Sequence, residues 1–558
     1  MTKYVSLVCA GLLLLFQLLF QVHLAKTDAQ TTDEAIHLYA GYTYLTRHQF
    51  DFNSEHPPLV KLLAALPLLA LHPHDVTATD YWQKAQNYFY HGPKDHRSIG
   101  EQFFYGVGNN PDQLLFFGRL AMVLLTLLLG FAIYSISVYF WGWRGGLLPL
   151  VLYVFDPTIA AHGHLITTDI GASLGYLVTI VALWRFLQKP SRNTTIILGI
   201  ALGFALLTKF TTIILLPMIA LLVIWFWLFR KGSLKRFKGY IPKFIAVAII
   251  AWFTVLAGYF FKIQPPPAVQ SLQRTIEAVN PLQKEIINPK PDKPFQTTVY
   301  NAARFLLIPR DYFKGLALVL THAKYGDASF LLGKRSLEGW WYYFPVLFSA
   351  KTPIPTLIVV AMGIAVALSA KRKDPKVVFL LLATVGYLGF AMFSRANIGL
   401  RHILPIYPLL FVLSGTLAIA KNQWLKITIP IILSVFLVIE FVRSYPYYLS
   451  YFNQLYGGTE NGYAIATDSN IEWGQDLKRI KSYIDSHNLD KPYLEYYWDG
   501  LSSVNYYGIN SKFLSDFRSG DSGYIIIGAS ALQTERYSWL KNYQPIDKIT
   551  PSVFIYKL

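Results

Sequence analysis

The sequence predicts an α-helical polytopic membrane protein with about eleven transmembrane helices, outer-face interfacial helices and a small C-terminal α/β domain. Of the 558 residues, 53% are hydrophobic and 15% are charged, and the mean hydropathy is +0.35. This composition is typical of polytopic membrane proteins. The net charge of +18 comes mainly from Lys and Arg between apolar runs. That placement indicates membrane topology and not nucleic-acid binding.

The apolar runs mark the predicted spans. The first, Tyr4 to Val22, has 19 uncharged residues, enough to cross about 30 Å of hydrocarbon as a helix. We interpret it as a retained anchor, since its length and the lack of a small-residue cleavage site argue against a signal peptide. Leu59 to Leu71 has only 13 residues and contains Lys61, which predicts an interfacial helix. The other predicted spans are about 114–140, one from 147, 170–187, 195–207, 211–229, one ending at 261, 344–370, one ending at 393, 403–420 and 427–441.

Two domains are expected. Residues 1–442 would form the membrane domain, with outer loops at about 25–113 and 262–342, and 443–558 a soluble α/β domain. In the latter we expect a helix from Asp476 to Ser486 and strands at Tyr493–Trp498, Tyr524–Ile527 and Ser552–Tyr556. We find no Gly-rich nucleotide-binding motif. The single cysteine, Cys9, excludes a disulfide framework and a thiolate metal site.

The basic turns predict the orientation. Arg230 to Lys243 carries six cations and no acid. The other turns on the same side of the membrane also contain Lys and Arg, and their only acid is Asp374. The positive-inside rule then places the N-terminus in the cytoplasm and, after eleven spans, the C-terminal domain outside a plasma membrane. Candidate site residues that were not used for this assignment all fall on the outer side: Asp33, Glu55, His162, Asp169, Lys209, Lys351 and Arg401.

Asp33 and Glu34 follow the first span directly. Placing an ionisable acid at a membrane boundary costs free energy, so such a residue is expected either to be solvated by water or to take part in binding or catalysis. A solvated loop with helix-capping acids is the simplest interpretation. A general base that takes a proton from a hydroxyl is the functional one.

Isolated cations on the same side suggest an anionic ligand, although each alone is equally well explained as snorkelling to the interface. They are Lys61, Lys209, Lys351 and Arg401. If the ligand is a lipid phosphate, cations would make it a good leaving group. Attack by a hydroxyl on a sugar carried by that phosphate fits these residues, and a single displacement would invert the anomeric centre.

His162 and His164 lie two residues apart, and Asp169 follows them. On a strand or loop this spacing could place them on one divalent metal. Polar contacts to the sugar or to the backbone are the alternative, so whether a metal cofactor is needed stays open.

Seven short motifs lie along the chain: Asp33-Glu34, Glu55-His56-Pro57-Pro58-Leu59, the segment from His162 to Thr168-Asp169, Leu207-Thr208-Lys209, Lys351-Thr352-Pro353, Arg401-His402-Ile403-Leu404-Pro405 and Asp468 to Asp476. In this order they resemble those of the membrane glycosyltransferases of the C-type fold, in the branch of protein O-mannosyltransferases and lipid A aminoarabinose transferases. The resemblance extends over essentially the whole chain. Where the aminoarabinose branch has a phosphate-contacting Lys, this chain has His56, and Lys61 comes five residues later. This departure argues against an aminoarabinose transferase and leaves the phosphate ligand open.

The resemblance implies an inverting glycosyltransferase that moves a sugar from a polyprenyl-phosphate carrier to a hydroxyl of a protein, glycan or lipid acceptor. It implies that Asp33 is the base, with Glu34 beside it. Substrate-binding residues would be Glu55, His56, Lys61, His162, Asp169, Lys209, Lys351, Arg401 and His402, with Arg401 the first candidate for the donor phosphate. Two alternatives are a transferase that modifies lipid A or another glycolipid, and a flippase for a lipid-linked anion. A flippase would favour charges near the midplane and internal repeats, and we find neither in the sequence.

Overall fold

The computed structural model describes residues 2–50, 52–79, 82, 99–229, 238–263, 307–369, 374–496 and 501–558. Residues 230–237 of the predicted basic turn from Arg230 to Lys243, and most of the predicted outer loop 262–342, lie outside these residues. Twenty α-helices are described in chain order. They are α1 Lys3–Thr27, α2 Glu34–Arg47, α3 Leu59–Ala65, α4 Leu68–Leu71, α5 Pro111–Trp141, α6 Leu147–Val154, α7 Pro157–His162, α8 Asp169–Gln188, α9 Arg192–Thr208, α10 Leu215–Phe229, α11 Ile241–Gly258, α12 Arg310–Tyr325, α13 Tyr343–Lys351, α14 Ile354–Ser369, α15 Pro375–Met392, α16 Tyr407–Ser414, α17 Ile429–Arg443, α18 Leu477–Ser486, α19 Leu501–Tyr506 and α20 Ala529–Leu532.

The prediction of a helical multi-pass membrane protein is confirmed. Within the described ranges, eight helices are long and apolar enough to cross a membrane, or nine if α13 and α14, which meet at a 109° bend, count as one span. Eleven were predicted, and the difference lies in two short helical segments, Trp143–Val154 and α9. The segment Trp143–Val154 ends early because a new helix, α7, begins directly after it. Asp156 caps α7 by accepting hydrogen bonds from Thr158 N at 2.9 Å and Ile159 N at 3.1 Å. Short 3₁₀ segments, Phe210–Ile214, Leu400–Ile406 and Gly415–Ile419, extend α10 and α16.

The chain divides into two compact units. Unit 1 comprises residues 1–32, 122–165 and 325–558, and unit 2 comprises 33–121 and 166–324. Helix α5 begins in unit 2 and ends in unit 1.

Unit 2 is held together by helix contacts through small residues. Helix α9 packs against both α8 and α11, and a Cβ on Gly175 of α8 would lie 2.8 Å from the backbone of Ala205. The interfacial helix α3, predicted from the 59–71 run, packs on α2. At their contact Gly41 faces the carbonyl of Lys61 so closely that a Cβ would collide with it. Small residues allow such close backbone approach between helices in membranes.

In unit 1, α16 packs against α6 and α14, and α6 also contacts α1. A hairpin of β1 Ser329–Leu331 and β2 Lys334–Ser336 precedes α13.

The C-terminal domain has a mixed five-stranded sheet, in the order β4-β3-β5-β7-β6. Its strands are β3 Tyr493–Glu495, β4 Lys512–Phe513, β5 Tyr524–Gly528, β6 Asp547–Thr550 and β7 Val553–Lys557. Strand β3 is parallel to β4 and β5, whereas β7 is antiparallel to β5 and β6. Alternate residues of β5 enter separate cores on the two faces of the sheet.

The three strands and the helix predicted for this domain are present. Residues 497–500, at the end of the first predicted strand, lie outside the described part of the chain. Strands β4 and β6 were not predicted. Strand β4 has two exposed residues, and β6 is mostly half-buried, with no apolar alternation to mark it.

We predict that Gly41→Ala lowers the free energy of unfolding by about 1–3 kcal/mol, the usual cost of overpacking. The added methyl would push α2 away from the backbone of α3. The measurement is the melting temperature in detergent. Gly11→Ala is the matched control, because a Cβ at that helical position meets no atom within 4 Å. Equal melting temperatures for both variants would contradict the close α2–α3 contact.

Candidate active site

The side chains of Asp33 and Glu34 lie in different environments, although the residues are adjacent in the chain. Both carboxylate oxygens of Glu34 accept from Arg119, at 2.8 Å from Nε and 2.6 Å from Nη2. The backbone N–H of Ile166 donates to the same carboxylate at 3.0 Å. The side chains of Glu34 and Arg119 are fully buried. Glu34 is thus part of a buried, bidentate ion pair, the strongest geometry for such a pair.

Asp33 has a different environment. It is the N-cap residue of α2, and its side chain makes no capping hydrogen bond. Its carbonyl accepts from His37 N at 3.1 Å, and the residue as a whole is partly exposed. The simple capping interpretation therefore does not describe this carboxylate. The positive end of the α2 dipole favours its ionised form.

A glycine explains how Arg119 reaches Glu34. Gly118 precedes it on α5, and a Cβ there would lie 2.8 Å from Ile166 and 2.9 Å from Leu38. Because Gly118 has no side chain, α5 can approach α2 closely at this point. The guanidinium of Arg119 then lies beside the first turn of α2.

Lys61 organises the loop that carries Glu55 and His56. Its Nζ donates to the carbonyls of Asn53 at 2.6 Å and His56 at 3.0 Å, and also to the side-chain oxygen of Asn53. An ammonium has three N–H donors, so these contacts account for all of them. Burial lowers the pKa of Lys61 to about 7, against the opposing effect of the Glu55 and Asp33 carboxylates.

Two histidines lie beside this loop. The rings of His37 and His56 meet edge to face at 5.5 Å, and His37 Nδ1 lies 2.8 Å from the carbonyl of Ile166. Burial and then Lys61 lower the pKa of His37. Burial, followed by Lys209 and His37, lowers the pKa of His56 well below its usual value. Both rings are therefore neutral at pH 7. Among the described residues, none provides a hydrogen-bond partner for the buried Nδ1 of His56.

Asp169 and Lys209 form a second buried ion pair in unit 2. Asp169 begins α8, Lys209 follows the end of α9, and Lys209 Nζ lies 2.5 Å from Asp169 Oδ1. Both groups act electrostatically on His56. Unit 2 thus brings six of the predicted residues into one polar cluster: Asp33, Glu55, His56, Lys61, Asp169 and Lys209.

The remaining predicted residues belong to unit 1. Lys351 Nζ donates to three carbonyls, those of Leu449 at 2.9 Å, Tyr451 at 2.8 Å and Asn470 at 2.5 Å. These contacts use its three N–H donors and connect α13 to the segments around 450 and 470. The role of Lys351 as a ligand contact stays a prediction.

Arg401 is held differently. Its guanidinium lies 3.9 Å from the centre of the Trp473 ring, and its Nε donates to Ser469 Oγ at 3.2 Å. Stacking and this hydrogen bond orient the plane of the guanidinium, a group suited to bidentate phosphate binding. The ring of His162 also lies beside Trp473, at 6.4 Å between centroids. The carbonyl of the neighbouring His402 accepts from Tyr387.

The His162–His164 pair does not form a recognisable metal site. His164 Nε2 lies 3.2 Å from Asp28 Oδ2, and its Nδ1 lies 3.2 Å from Gln21. In the part of the chain that the structure describes, no three His, Cys, Asp or Glu side chains are placed to share a metal ion.

Sequence reasoning missed three residues of unit 2 that contact the predicted site residues: Arg119, His37 and Asn53. A signal existed for two of them. A charge such as Arg119 inside an apolar span is costly and therefore marks a site. His37 lies four residues after Asp33, so it shares a face of the helix with it. Asn53 had no such signal.

Comparison with known proteins supports the resemblance in one segment. Residues 105–257 match the family model described as dolichyl-phosphate-mannose-protein mannosyltransferase. The match confirms the predicted resemblance over this segment, which contains Arg119, Asp169 and Lys209. No curated protein matches the chain.

Solved structures with a similar path include ArnT from Cupriavidus metallidurans. In the apo state it is 12% identical, with a TM-score of 0.46 over 100% of this chain and 98% of that one. Bound to undecaprenyl phosphate it is 11% identical, with a TM-score of 0.43 over 98% and 97%.

We predict that Arg119→Gln lowers the free energy of unfolding by about 3–5 kcal/mol, the usual cost of leaving one member of a buried ion pair alone. In the double variant Arg119→Gln/Glu34→Gln the loss should be smaller, because no unpaired charge remains. The measurement is a double-mutant cycle of thermal stability in detergent. Arg185→Gln, at an exposed position, controls for loss of a cation. Additive single losses would contradict the direct coupling.

We predict that the protein loses stability as pH falls below about 6.5, the ordinary pKa of histidine. Because the folded pKa values of His37 and His56 are lowered, the unfolded state binds more protons in this range, and acid favours it. Melting temperatures at pH 7.5 and 5.5 measure the effect. His56→Gln should reduce the difference, whereas His72→Gln, at an exposed residue, should leave it unchanged. An undiminished difference in His56→Gln would contradict the assignment.

Proposed function

We propose that this protein is an inverting glycosyltransferase that moves a sugar from a polyprenyl-phosphate carrier to a hydroxyl acceptor. The observation that carries the proposal is the separation of the two acids: Glu34 is committed to Arg119, and Asp33 remains partly exposed at a helix N-terminus. A general base must be ionised and within reach of the attacking hydroxyl, and a carboxylate at a helix N-terminus is favoured in its ionised form. The family match over 105–257 supports the same class of donor.

The reaction we propose is one displacement. Asp33 accepts the proton of the acceptor hydroxyl as its oxygen attacks the anomeric carbon. The bond between that carbon and the phosphate oxygen breaks, and the lipid phosphate leaves with the electron pair. Attack opposite to the leaving group inverts the anomeric centre.

The neighbouring residues of unit 2 suit sugar binding. Glu55 is exposed beside His56, and the neutral His56 ring has the unsatisfied Nδ1 described above. Buried polar atoms are nearly always hydrogen-bonded, so we propose that a hydroxyl of the sugar or of the acceptor forms a hydrogen bond with this nitrogen. The Asp169–Lys209 pair supplies a polar wall with no net charge.

For the donor phosphate we retain Arg401 as the first candidate. Its guanidinium stacks on Trp473 and donates to Ser469, and a guanidinium can hold a phosphate through two parallel hydrogen bonds. The three N–H donors of Lys61 and of Lys351 are used within the protein. Lys209 is already paired with Asp169. This ranking follows from geometry within each unit.

We further propose the orientation that the basic turns predict. The N-terminus is cytoplasmic, the chain crosses the plasma membrane eleven times with Trp143–Val154 and α9 as short crossings, and 443–558 form an extracytoplasmic domain. The acceptor is then a protein or glycan outside the cell. A glycolipid such as lipid A is the alternative, and the His56 departure disfavours the aminoarabinose branch.

The direct test is incubation of purified protein with a panel of polyprenyl-phosphate sugars and acceptors, with release of lipid phosphate as the readout. We expect release with one donor only in the presence of acceptor. Movement of the intact lipid-linked sugar across vesicles without release would support a flippase instead.

We predict that Asp33→Asn lowers turnover by about 10²-fold or more, the usual scale of general-base loss, while donor binding and melting temperature stay nearly unchanged. Asparagine keeps the size of the side chain but cannot take the proton. Glu34→Gln should instead lower the melting temperature, because it breaks the pair with Arg119. Normal turnover in Asp33→Asn would remove it from the chemistry.

The orientation has its own test in a Cys9→Ser background. A cysteine at Lys238 should resist an impermeant thiol reagent in intact cells, and one at Ser511 should react, because the positive-inside rule places them on opposite sides. Both positions lie outside the spans. Labelling after permeabilisation controls for accessibility. The reverse pattern would overturn the proposed outer location of the site.

A further inference from the structure

The loop from Phe393 to Gly399 lies at one surface of the membrane, because it joins two candidate spans of unit 1. One span ends at Met392 and the next begins at Leu400. A short irregular loop between two crossing helices stays where lipid headgroups meet water, since the hydrocarbon provides no partners for its backbone N–H and C=O groups. The loop therefore marks the level of this membrane surface.

A second segment, between β2 and α13, packs against this loop. The backbone N–H of Trp340 donates to Asn397 Oδ1 at 2.6 Å, and Asn397 is 1% exposed. Gly326, which precedes β1, lies close to both segments, since a Cβ there would be 2.6 Å from the carbonyl oxygen of Leu337 and 2.9 Å from that of Arg395. The second segment is therefore held at the same membrane surface as the loop.

The two segments expose three large apolar side chains, Leu337, Trp341 and Phe393, which we call the apolar ledge. Their exposed fractions are 58%, 67% and 89%. Large apolar side chains exposed together mark a surface that interacts with another protein or with a membrane. Leaving this apolar area in water is unfavourable, so we expect the ledge to be covered when the protein is in its membrane.

The surroundings of the apolar ledge identify the bilayer as the partner that covers it. The exposed side of α15, with Val385 at 62% and Phe390 at 47%, leads directly into Phe393. Trp341 lies two residues before α13, the helix that begins the bent span. Trp side chains are enriched at the ends of spans because the ring is apolar and its N–H is polar. The ledge thus continues the surface that the spans present to lipid.

The hairpin of β1 and β2 connects the apolar ledge to the C-terminal domain. Strand β2 ends one residue before Leu337. At the other end of the hairpin, Leu331 forms a β-bridge with Ala466, and Leu332 N–H donates to the carbonyl of Ile465 at 2.8 Å. Because residues 465 and 466 belong to the C-terminal domain, a ledge fixed in the membrane surface would hold this domain through the hairpin.

We propose that the apolar ledge inserts into the headgroup region of the bilayer and anchors the C-terminal domain to the membrane surface. Leu337 and Phe393 would lie against the upper part of the acyl chains, with Trp341 at the level of the glycerol and headgroups. The anchor needs no specific lipid, because its contacts are apolar. It is independent of the proposed transferase activity.

The test places a fluorescent label on each ledge residue in turn. Leu337→Cys, Trp341→Cys and Phe393→Cys are made in a Cys9→Ser background, which removes the only native cysteine. The full-length proteins are labelled with bimane in phosphatidylcholine nanodiscs. Lipid with a nitroxide near its headgroup should quench all three labels most strongly. Lipid with a nitroxide near the end of its acyl chain should quench them less, and iodide in the water should quench them least.

The control and the contradicting outcomes are as follows. Phe513→Cys is the matched control, because Phe513 is 49% exposed on β4 but adjoins no span, and iodide should quench this label most. Strong iodide quenching of the ledge labels would place them in water and overturn the proposal. Protection from every quencher would mean that protein covers the ledge. Stronger quenching from the acyl-chain end would place the ledge inside the hydrocarbon. Either result would contradict an anchor at the headgroups.

A second measurement separates the anchor from simple proximity to the spans. In the protein labelled at Trp341→Cys, the change Leu337→Gln/Phe393→Gln should shift quenching from the lipid nitroxide to iodide, because the rest of the ledge is no longer apolar. Both side chains are exposed, so the variant should keep its melting temperature. Phe513→Gln should leave the quenching unchanged. Unchanged lipid quenching in Leu337→Gln/Phe393→Gln would show that the spans alone set this depth and would overturn the anchor.

Discussion

The buried ion pair between Glu34 and Arg119 is the interaction on which the candidate site depends. Removing two charges from water is costly, and only good geometry with additional hydrogen bonds offsets that cost. Both conditions are met, because the guanidinium binds both carboxylate oxygens and Ile166 N–H adds a third donor. The pair fixes the first turn of α2 against α5 and the segment before α8. Asp33 precedes this turn, so its position follows from the same contacts.

Most of the cations predicted to bind a ligand are engaged by groups of the protein within their own unit. Lys61 holds the loop of Glu55 and His56, Lys351 joins three carbonyls, and Lys209 neutralises Asp169. A buried lysine must be satisfied in this way, since an unpaired ammonium in an apolar interior is unstable. Arg401 stacks on Trp473 and donates to Ser469. Lys61, Lys209 and Lys351 therefore have structural roles within their own units, whatever ligand the protein binds.

The sequence predicted the membrane class, most spans and the strands of the C-terminal domain, because apolar length and alternation report directly on burial. It predicted that Asp33, Glu55, Asp169 and Lys209 lie near one another, but only because all four are expected on the outer side of the membrane. It could not show that Glu34 forms an ion pair with Arg119, because the two residues are 85 positions apart in the chain. They meet only because Gly118 allows α5 to pack closely against α2. Nor could it show that Trp143–Val154 ends early, because the cap made by Asp156 is a local hydrogen-bond pattern within an apolar run. Strand β4, with two exposed residues, had no pattern to detect.

The most direct test of the central claim uses Arg119→Lys, which keeps the charge but loses the bidentate geometry. Single-turnover rates at saturating lipid donor and acceptor should be compared with donor affinity, measured separately. If the ion pair positions Asp33, the rate falls by about 10-fold or more, within the range that misplacement of a catalytic group produces, while donor affinity is preserved. If donor affinity falls as far as the rate, or if the rate is unchanged, the pair does not position the base.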